Sequence, residues 1–200
     1  MGFPAGDTKE GPLRALTEVL TAEKTPYAII GGVAIQIYTR EPRTTQDIDI
    51  ALARYEDLPK EALLAAGFRR ERAFAYSENW RAPGSAARKQ RTAVQFTVDT
   101  LTAGTVERAE KHRIRSLRLR VAALPDLVRL KLEAAEEPRR RPSKRQSDVA
   151  DVLRLIEEHP EVRRQVPDAV DRIRIVLATQ AAALAAGRGG SRKPRREAKP

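Results

Sequence analysis

Residues 27–52 read YAIIGGVAIQIYTREPRTTQDIDIAL, and the expected fold is built outward from this stretch. The apolar run at its start predicts a buried strand, and Gly31 and Gly32 end that strand and open a helix. The segment from Asp47 to Leu52 alternates polar and apolar residues with the period of a strand. Asp47 and Asp49 then share one face of that strand, because side chains two residues apart point the same way.

The paired carboxylates of Asp47 and Asp49 predict a metal site. Two carboxylates side by side repel each other and resist burial, so a structural role is hard to find for them. A divalent cation explains the pair, because Mg²⁺ prefers hard oxygen ligands. Asp-x-Asp alone is a weak motif that occurs often by chance, and its weight comes from the neighbouring motifs.

The two glycines before the carboxylates favour a phosphate site. Gly31 and Gly32 would let a phosphate approach the backbone, where a helix N-terminus offers free N–H groups and a positive dipole end. The alternative is a strand-to-helix turn that needs small residues. Together with the carboxylates, the glycines predict a triphosphate held by metal above the backbone.

A third carboxylate is expected from the next alternating strand, residues 93–101. Asp99 lies at the C-terminal end of that strand and is expected to complete a two-metal site with Asp47 and Asp49. The alternative for Asp99 is a cap at the end of a strand.

These motifs resemble a known family. Gly31-Gly32-Val33-Ala34 followed by residues 43–50, RTTQDIDI, resembles the GGxA…RxTxDID signature of DNA-polymerase-β-like nucleotidyltransferases. The form is most similar to that of the AbiEii-type nucleotidyltransferases, which include the toxins of type IV toxin–antitoxin systems. Residues 127–134 and 144–153 resemble the downstream motif of the family, a helix that carries a lysine and a later helix that begins KDxxD. The resemblance covers roughly residues 27–156.

The chain departs from the family pattern at two places. Ser147 and Asp148 stand where the family has Lys-Asp, so the basic function is expected from Lys144 or Arg145. Gly32 stands where serine is frequent in the wider superfamily, so backbone N–H groups would have to contact a phosphate there.

The resemblance implies a magnesium-dependent enzyme that moves a nucleoside monophosphate from a nucleoside triphosphate to an acceptor hydroxyl. It implies that Asp47, Asp49 and Asp99 bind two metal ions and that Lys131 meets the triphosphate. Asp148 would orient Lys131 or receive a substrate hydroxyl, or would simply complement a helix dipole. The implied nucleotide-binding residues are Gly31, Gly32, Arg43, Thr45 and Lys131.

The resemblance also implies an α+β fold, a polymerase-β-like mixed sheet with flanking helices followed by a C-terminal helical portion. The expected division is an α+β core over residues 1–124, helices over 125–186 and a disordered basic tail over 187–200. Residues 68–76 and 114–121 are predicted as strands. Residues 77–91 are predicted as a loop, in which Trp80 either stacks on a base or packs the loop down.

The charge of the chain favours a polyanionic partner. The 200 residues carry a net charge of +11, and the tail holds six basic residues against one acidic residue. An RNA acceptor such as tRNA fits this balance. The run of cations from Lys111 to Arg120 is interpreted first as a charged edge strand and only second as an RNA contact.

Composition excludes several classes of site. There is no cysteine, so disulfides, thiolate metal sites and cysteine nucleophiles are excluded. His112 and His159 are expected at the surface and outside any active site. No membrane segment or signal peptide is expected, and a cytoplasmic location is the default.

Three functions compete at this stage. The first is nucleotide addition to RNA as a toxin, with a cognate antitoxin as a possible partner. The second keeps the chemistry but uses a protein side chain or a small aminoglycoside-like molecule as acceptor, and the basic charge disfavours a cationic drug. The third is a catalytically idle binding module. This alternative is disfavoured because Asp47, Asp49 and Asp99 are all present.

Overall fold

The computed structural model describes residues 9–41, 45, 47–84, 87, 90–99 and 101–187. In this part of the chain, seven strands form one mixed sheet in the order β3-β4-β5-β2-β1-β7-β6. The strands are β1 (Tyr27–Ile30), β2 (Asp47–Leu52), β3 (Arg69–Ala73), β4 (Ser77–Arg81), β5 (Ala93–Thr97), β6 (Glu110–Ile114) and β7 (Leu117–Val121). The helices are α1 (Glu10–Ala22), α2 (Gly31–Thr39), α3 (Lys60–Ala65), α4 (Thr102–Glu107), α5 (Leu124–Glu136), α6 (Pro142–Glu158), α7 (Val162–Gln165) and α8 (Ala169–Gly187).

The pairing of the central strands confirms the α+β class. β2 runs antiparallel to β1 and parallel to β5, and β1 runs parallel to β7. The outer pairs β3–β4, β4–β5 and β6–β7 are antiparallel. Helices flank this mixed sheet, as expected.

The two faces of the sheet differ in polarity, because alternate residues of each strand point to opposite sides. One face is apolar and buried, with Ile48, Ile50, Val94, Phe96 and Trp80 all at 0% exposure. The other, here called the polar face, carries Asp47, Asp49, Gln95, Asn79 and Arg81 at half-buried or exposed positions. The alternation of β2, β4 and β5 follows from this difference between the two faces. Farther along the polar face, Ala28 and Ala51 are fully buried.

The helices after residue 124 pack on the core through α2. α5 and α6 pack against each other and both contact α2, while α8 packs against α5 and α6. Their inner positions are apolar and buried, for example Leu127, Leu132, Val152 and Ile173. The proposed division of the chain at residue 124 stays a prediction.

Three expected elements are corrected. The segment predicted as a loop from Ser77 begins with β4, and Trp80 is fully buried there opposite Val94, which is the packing alternative. The predicted strand 114–121 is one arm of a hairpin, β6–β7, with residues 115–116 at its turn. The strand predicted over 93–101 ends at Thr97.

Sequence patterns also missed two short helices, α4 and α7. Neither exceeds six residues, so neither shows the repeated apolar spacing by which longer helices are found. Among the residues that the structure describes, no helix is both long and apolar enough to cross a bilayer.

Candidate active site

A cleft of about 740 Å³ opens between the start of β2 and the helices α5 and α6. The side formed by the sheet and α2 contributes Gly32, Thr45, Asp47, Asp49 and Gln95. The helical side contributes Lys131, Arg140, Arg141, Lys144, Ser147 and Asp148. The cleft thus brings most of the sequence-predicted site residues together from both portions of the chain.

The carboxylates of the cleft stand on the polar face of β2. Asp47 is exposed and Asp49 is half-buried, and Ile48 between them is fully buried on the opposite face. β5 pairs with β2 in a register that sets Gln95 beside Asp49. Asp49 therefore has a side-chain amide, and not a third carboxylate, as its neighbour on the adjoining strand.

Gly31 makes room for Asp49 at the turn from β1 into α2. Gly31 has a φ of +64°, a conformation that side chains with a Cβ rarely adopt. A Cβ placed there would lie 2.7 Å from Cγ of Asp49, closer than atoms of two side chains can approach. The requirement for glycine is therefore steric, and Gly32 after it lines the cleft at the first turn of α2.

Lys131 is held by two buried carboxylates at the helical side of the cleft. Its Nζ lies 2.8 Å from Oδ1 of Asp148 and 2.9 Å from Oδ2 of Asp151. The exposed fraction is 12% for the Lys131 side chain, 3% for Asp148 and 0% for Asp151. A largely covered lysine between two buried carboxylates is held in position, because leaving either carboxylate unpaired would be costly.

Two arginines complete this network. Arg140 donates from Nε to Oδ2 of Asp148 over 2.8 Å, and Arg154 lies 3.4 Å from Oδ1 of Asp151. Both oxygens of Asp148 thus already accept hydrogen bonds, one from Lys131 and one from Arg140. The arrangement favours orientation of Lys131, and not the receipt of a substrate hydroxyl, as the role of Asp148.

The placement expected for Asp99 is corrected. Asp99 lies two residues beyond Thr97, which ends β5 and pairs with Ala51 near the end of β2. Asp99 is therefore at the opposite end of these parallel strands from Asp47. Its Oδ1 accepts hydrogen bonds from the backbone amides of Leu101 and Thr102 over 2.8 and 3.1 Å. Asp99 caps the start of α4 and does not line the cleft, so the structure does not bring it to Asp47 and Asp49.

The remaining predicted residues divide between described and undescribed positions. Thr45 lines the cleft, and its Oγ1 donates to the backbone oxygen of Asp47 over 3.2 Å. Arg43 and the tail residues 188–200 lie outside the described residues. Of the two basic substitutes expected near residue 147, Lys144 lines the cleft, whereas Arg145 donates to the backbone oxygen of Ala135 over 2.6 Å.

Sequence reasoning missed three contributors to the cleft, Gln95, Arg140 and Arg141. Gln95 lies in the cleft because the register of β2 and β5 sets it beside Asp49, and no local sequence pattern reveals that register. Arg140 and Arg141 belong to a basic stretch bounded by Pro138 and Pro142, and the position of this stretch directly before the helix of Asp148 was the available signal. The function of Arg140 in the network depends on how α5 and α6 pack together.

The donors of the cleft suit a magnesium ion that shares its coordination with a substrate. Among the described residues, no group of three or more His, Cys, Asp or Glu side chains could hold a metal. Mg²⁺ in nucleotide-dependent enzymes is bound by one or two carboxylates plus substrate phosphates and keeps several waters. Asp47 and Asp49, adjacent on one face beside the amide of Gln95, fit that mode of binding.

The histidines do not line the cleft. His112 and His159 both contact the ring of Tyr38 edge-on. The ring centroid of Tyr38 lies 5.2 Å from that of His112 and 5.8 Å from that of His159. Nε2 of His159 also lies 3.1 Å from the backbone oxygen of Tyr38. Burial and the nearby carboxylate of Glu110 raise the pKa of Tyr38, whose hydroxyl donates to the backbone oxygen of Ala122 over 2.9 Å. This cluster joins α2 to the β6–β7 hairpin and to the end of α6.

A family model matches most of the chain. Residues 14–184 match the family described as "Nucleotidyl transferase AbiEii toxin, Type IV TA system". A comparison with curated proteins gave no significant match. The matched range contains every residue that lines the cleft.

Several solved structures share the fold at low sequence identity. The lincosamide antibiotic adenylyltransferase LnuA, solved with lincomycin, has a TM-score of 0.50 at 12% identity, with 73% of this chain and 97% of that chain covered. The antibiotic-resistance factor ANT(2'')-Ia has a TM-score of 0.51 at 15% identity, with 91% of this chain and 97% of that chain covered. JHP933 from Helicobacter pylori has a TM-score of 0.51 at 12% identity, with 94% of this chain and 100% of that chain covered. These likenesses support the fold expected from the sequence.

Proposed function

The chain belongs to the AbiEii family of nucleotidyltransferases, and from that premise we propose that it transfers a nucleoside monophosphate from a nucleoside triphosphate to a hydroxyl of an RNA. One observation carries the proposal. The cleft sets the carboxylates of Asp47 and Asp49 on one side and the cations of Arg140, Arg141 and Lys144 on the other. A metal-bound triphosphate has the complementary charges, because its anionic oxygens need cations and its metal needs oxygen ligands.

Asp47 and Asp49 would hold Mg²⁺ together with oxygens of the triphosphate. When bound, the metal would supply neutralisation of negative charge on the phosphates. The carboxylate of Asp49 lies against Gly31, in space that a Cβ on residue 31 would take away.

Lys131 would supply a fixed charge to the triphosphate from the helical side of the cleft. Asp148 and Asp151 hold its ammonium group, so Lys131 acts from a defined position and not as a freely moving surface lysine. Arg141 and Lys144 line the same side and are exposed, so they are suited to meet the outer phosphates. Asp148 is a positioning residue in this scheme.

The reaction joins the acceptor to the α-phosphate. A hydroxyl oxygen of the acceptor forms a bond to the α-phosphorus, the bond from that phosphorus to the α–β bridging oxygen breaks, and pyrophosphate leaves with release of the hydroxyl proton. The enzyme contributes in-line positioning and charge neutralisation, without a covalent intermediate on the protein.

RNA is the proposed acceptor because of the charge of the protein. A net charge of +11 attracts a polyanion and repels a cationic small molecule. A tRNA is the specific acceptor we propose, and modification of a tRNA would let the enzyme act as a toxin restrained by a cognate antitoxin.

The test is transfer of label from each of the four α-³²P nucleoside triphosphates to total cellular RNA in the presence of Mg²⁺. Wild type is compared with Asp49→Asn and with the control Asp57→Asn, whose carboxylate pairs with Arg54 outside the cleft. Label on a discrete RNA, lost in Asp49→Asn and kept in Asp57→Asn, supports the proposal and names the nucleotide and the acceptor.

Other outcomes separate the competing functions. Label on protein or on a small molecule, with none on RNA, would overturn the RNA acceptor and leave the transfer chemistry. Metal-dependent binding of nucleoside triphosphate distinguishes an active site with an unknown acceptor from an idle module, which would show no such binding.

A further inference from the structure

The β6–β7 hairpin places four cations on one face of the sheet. In its antiparallel register, Lys111 lies directly opposite Arg120 and Arg113 lies directly opposite Arg118. Side chains of directly paired residues point to the same side, so all four stand together. We call this set, with the nearby Lys24, the hairpin cation cluster.

The cluster stands on the same face as the active-site carboxylates. Asp49 pairs with Ile30, and Val121 pairs with Ile29, so residues 118 and 120 share the side of Ile30 and Asp49. β6 is three strands away from β2, which corresponds to about 14 Å at the usual spacing of strands. Helix α4 packs on β1 and β2 between the two sites, and its Val106 backbone oxygen accepts a hydrogen bond from Arg120, so an RNA bound in the cleft would pass around this helix to reach the cluster.

Stability does not explain this arrangement. Like charges directly opposite each other on neighbouring strands destabilise a sheet. Cations on an edge strand protect it from pairing with other chains, and that explains Lys111 and Arg113 on β6. It covers Arg118 and Arg120 only in part, because β7 pairs with β6 along its length and also with β1 at Val121.

The cations of the cluster also lack the acidic partners that are common elsewhere. Arg70, Arg81, Arg108, Arg140 and Arg172 each pair with a carboxylate. Within the described part of the chain, no ion pair joins Lys24, Lys111, Arg113 or Arg118 to an acid. Arg120 donates only to backbone oxygens, those of Tyr27 and Val106.

A cleft runs beside the cluster. It has a volume of about 670 Å³ and lies between the end of α1, the segment that leads into β1 and the hairpin. All five cations of the cluster line it, and its described lining contains no Asp or Glu. Several cations around a groove without a neutralising carboxylate attract phosphates.

From these observations we infer that the hairpin cation cluster is a second contact site for the phosphodiester backbone of the RNA acceptor. The inference rests on the proposed RNA acceptor and adds a place where the acceptor is held outside the catalytic cleft. Contacts to phosphates position a nucleic acid without reading its sequence. The cluster therefore sets affinity and orientation, while the cleft sets the chemistry.

The experiment measures equilibrium binding of fluorescently labelled bulk tRNA by anisotropy, without nucleoside triphosphate, across a series of salt concentrations. Lys111→Gln combined with Arg118→Gln removes one cation from each opposed pair. The control combines Arg163→Gln with Arg164→Gln, which removes the same charge from exposed positions on α7. Binding of nucleoside triphosphate and Mg²⁺ is measured on all three proteins.

The hairpin variant is expected to bind tRNA roughly tenfold or more weakly than the control variant, and its salt dependence is expected to fall by about 1.5 in slope, because two phosphate contacts are lost. Its thermal stability should equal or exceed that of wild type, since two repulsive pairs are relieved. Binding of nucleoside triphosphate should be unchanged.

Two outcomes would overturn the inference. One is equal tRNA binding by the hairpin and control variants, which leaves the proposed transfer to RNA intact if labelled RNA is still formed. The other is hairpin-dependent binding of polyglutamate with no hairpin-dependent binding of tRNA, which would make the cluster a contact for an acidic protein. If no label is transferred to RNA but the hairpin variant loses tRNA binding, the proposed reaction is overturned and the inference about the cluster stands.

Discussion

The carboxylate of Asp49 occupies the space that a side chain at Gly31 would fill. Cγ of Asp49 lies 2.7 Å from the place of a Cβ on Gly31, and Gly31 has a φ of +64°. The two residues are held at this distance because Ile30 pairs with Asp49 across β1 and β2. The glycine of the first motif and the aspartate of the second therefore form one steric unit.

Gly31→Ala is expected to displace Asp49 and to lower both stability and transfer. The left-handed backbone alone costs a residue with a Cβ about 1–2 kcal/mol, and the clash adds to it. The free energy of unfolding and the rate of transfer to RNA measure the two effects. Gly11→Ala is the control, because no heavy atom lies within 4 Å of a Cβ at Gly11 on helix α1. That change should leave transfer unaffected, and equal transfer by both variants would contradict the steric role.

Asp99→Ala is expected to reduce stability without abolishing transfer. Asp99 accepts hydrogen bonds from the amides of Leu101 and Thr102, and loss of such a cap costs about 1 kcal/mol. Asp49→Asn should show the opposite result, with transfer lowered at least ~100-fold and a folded protein. Chemical denaturation and the label-transfer assay on both variants check this contrast. A loss of transfer in Asp99→Ala as large as that in Asp49→Asn would return Asp99 to the metal site.

The different outcomes for Asp47 and Asp99 show what local sequence reveals. β2 has the predicted bounds, because alternation over six residues is a local pattern that one buried face enforces. The neighbour of Asp49 is set by the register of β5, which joins segments more than 40 residues apart. A carboxylate at residue 99 looks suitable from the sequence, but the strand ends before it and the register offers Gln95 instead.

The missed strands have equally physical reasons. The turn between β6 and β7 contains Arg115 at a φ of 54°, where hairpins usually use Asn or Gly, so no turn signal interrupts the run of cations. On β4, Glu78 lies on the same buried face as Trp80, and ion pairs with Lys60 and Arg70 compensate its charge there. A charged residue at a buried position breaks the alternation by which a strand is recognised.

Glu78 is expected to contribute stability that is lost in acid. Its burial opposes the charged form, but hydrogen bonds from Lys60 and Arg70 outweigh burial and hold the pKa of Glu78 below its ordinary value. A carboxylate with a lowered pKa stabilises the fold above the pKa of the unfolded chain and loses that contribution as pH falls through the folded pKa. The stability gap between wild type and Glu78→Gln should be about 1–2 kcal/mol at neutral pH and should shrink in acid.

Urea denaturation at a series of pH values measures this gap. Glu61→Gln is the control, since Glu61 is exposed on α3 and forms no hydrogen bond or ion pair with the described residues. A gap for Glu78→Gln that stays constant from neutral pH into acid would mean that the charge of Glu78 does not act through Lys60 and Arg70.

Lys131→Gln is expected to reduce transfer and to destabilise the fold, because Asp148 and Asp151 would lose their shared cation. Breaking a buried ion pair typically costs about 3–5 kcal/mol, and the loss here should be smaller, about 2–3 kcal/mol, because Arg140 and Arg154 remain. The KM for nucleoside triphosphate should rise as the fixed charge is lost.

The matched control for this change is Lys144→Gln, which removes an exposed cation from the same cleft. It should raise the KM for nucleoside triphosphate without a loss of stability, because no ion pair joins Lys144 to a described carboxylate.

Combining Lys131→Gln with Asp151→Asn separates the two functions of Lys131. The second change removes one of the carboxylates left uncompensated, so stability should recover by at least ~1 kcal/mol. Transfer should not recover, because the charge that meets the triphosphate is still missing. Recovery of transfer together with stability would mean that Lys131 acts only through folding, and that the cations that serve the nucleotide are Arg140, Arg141 and Lys144.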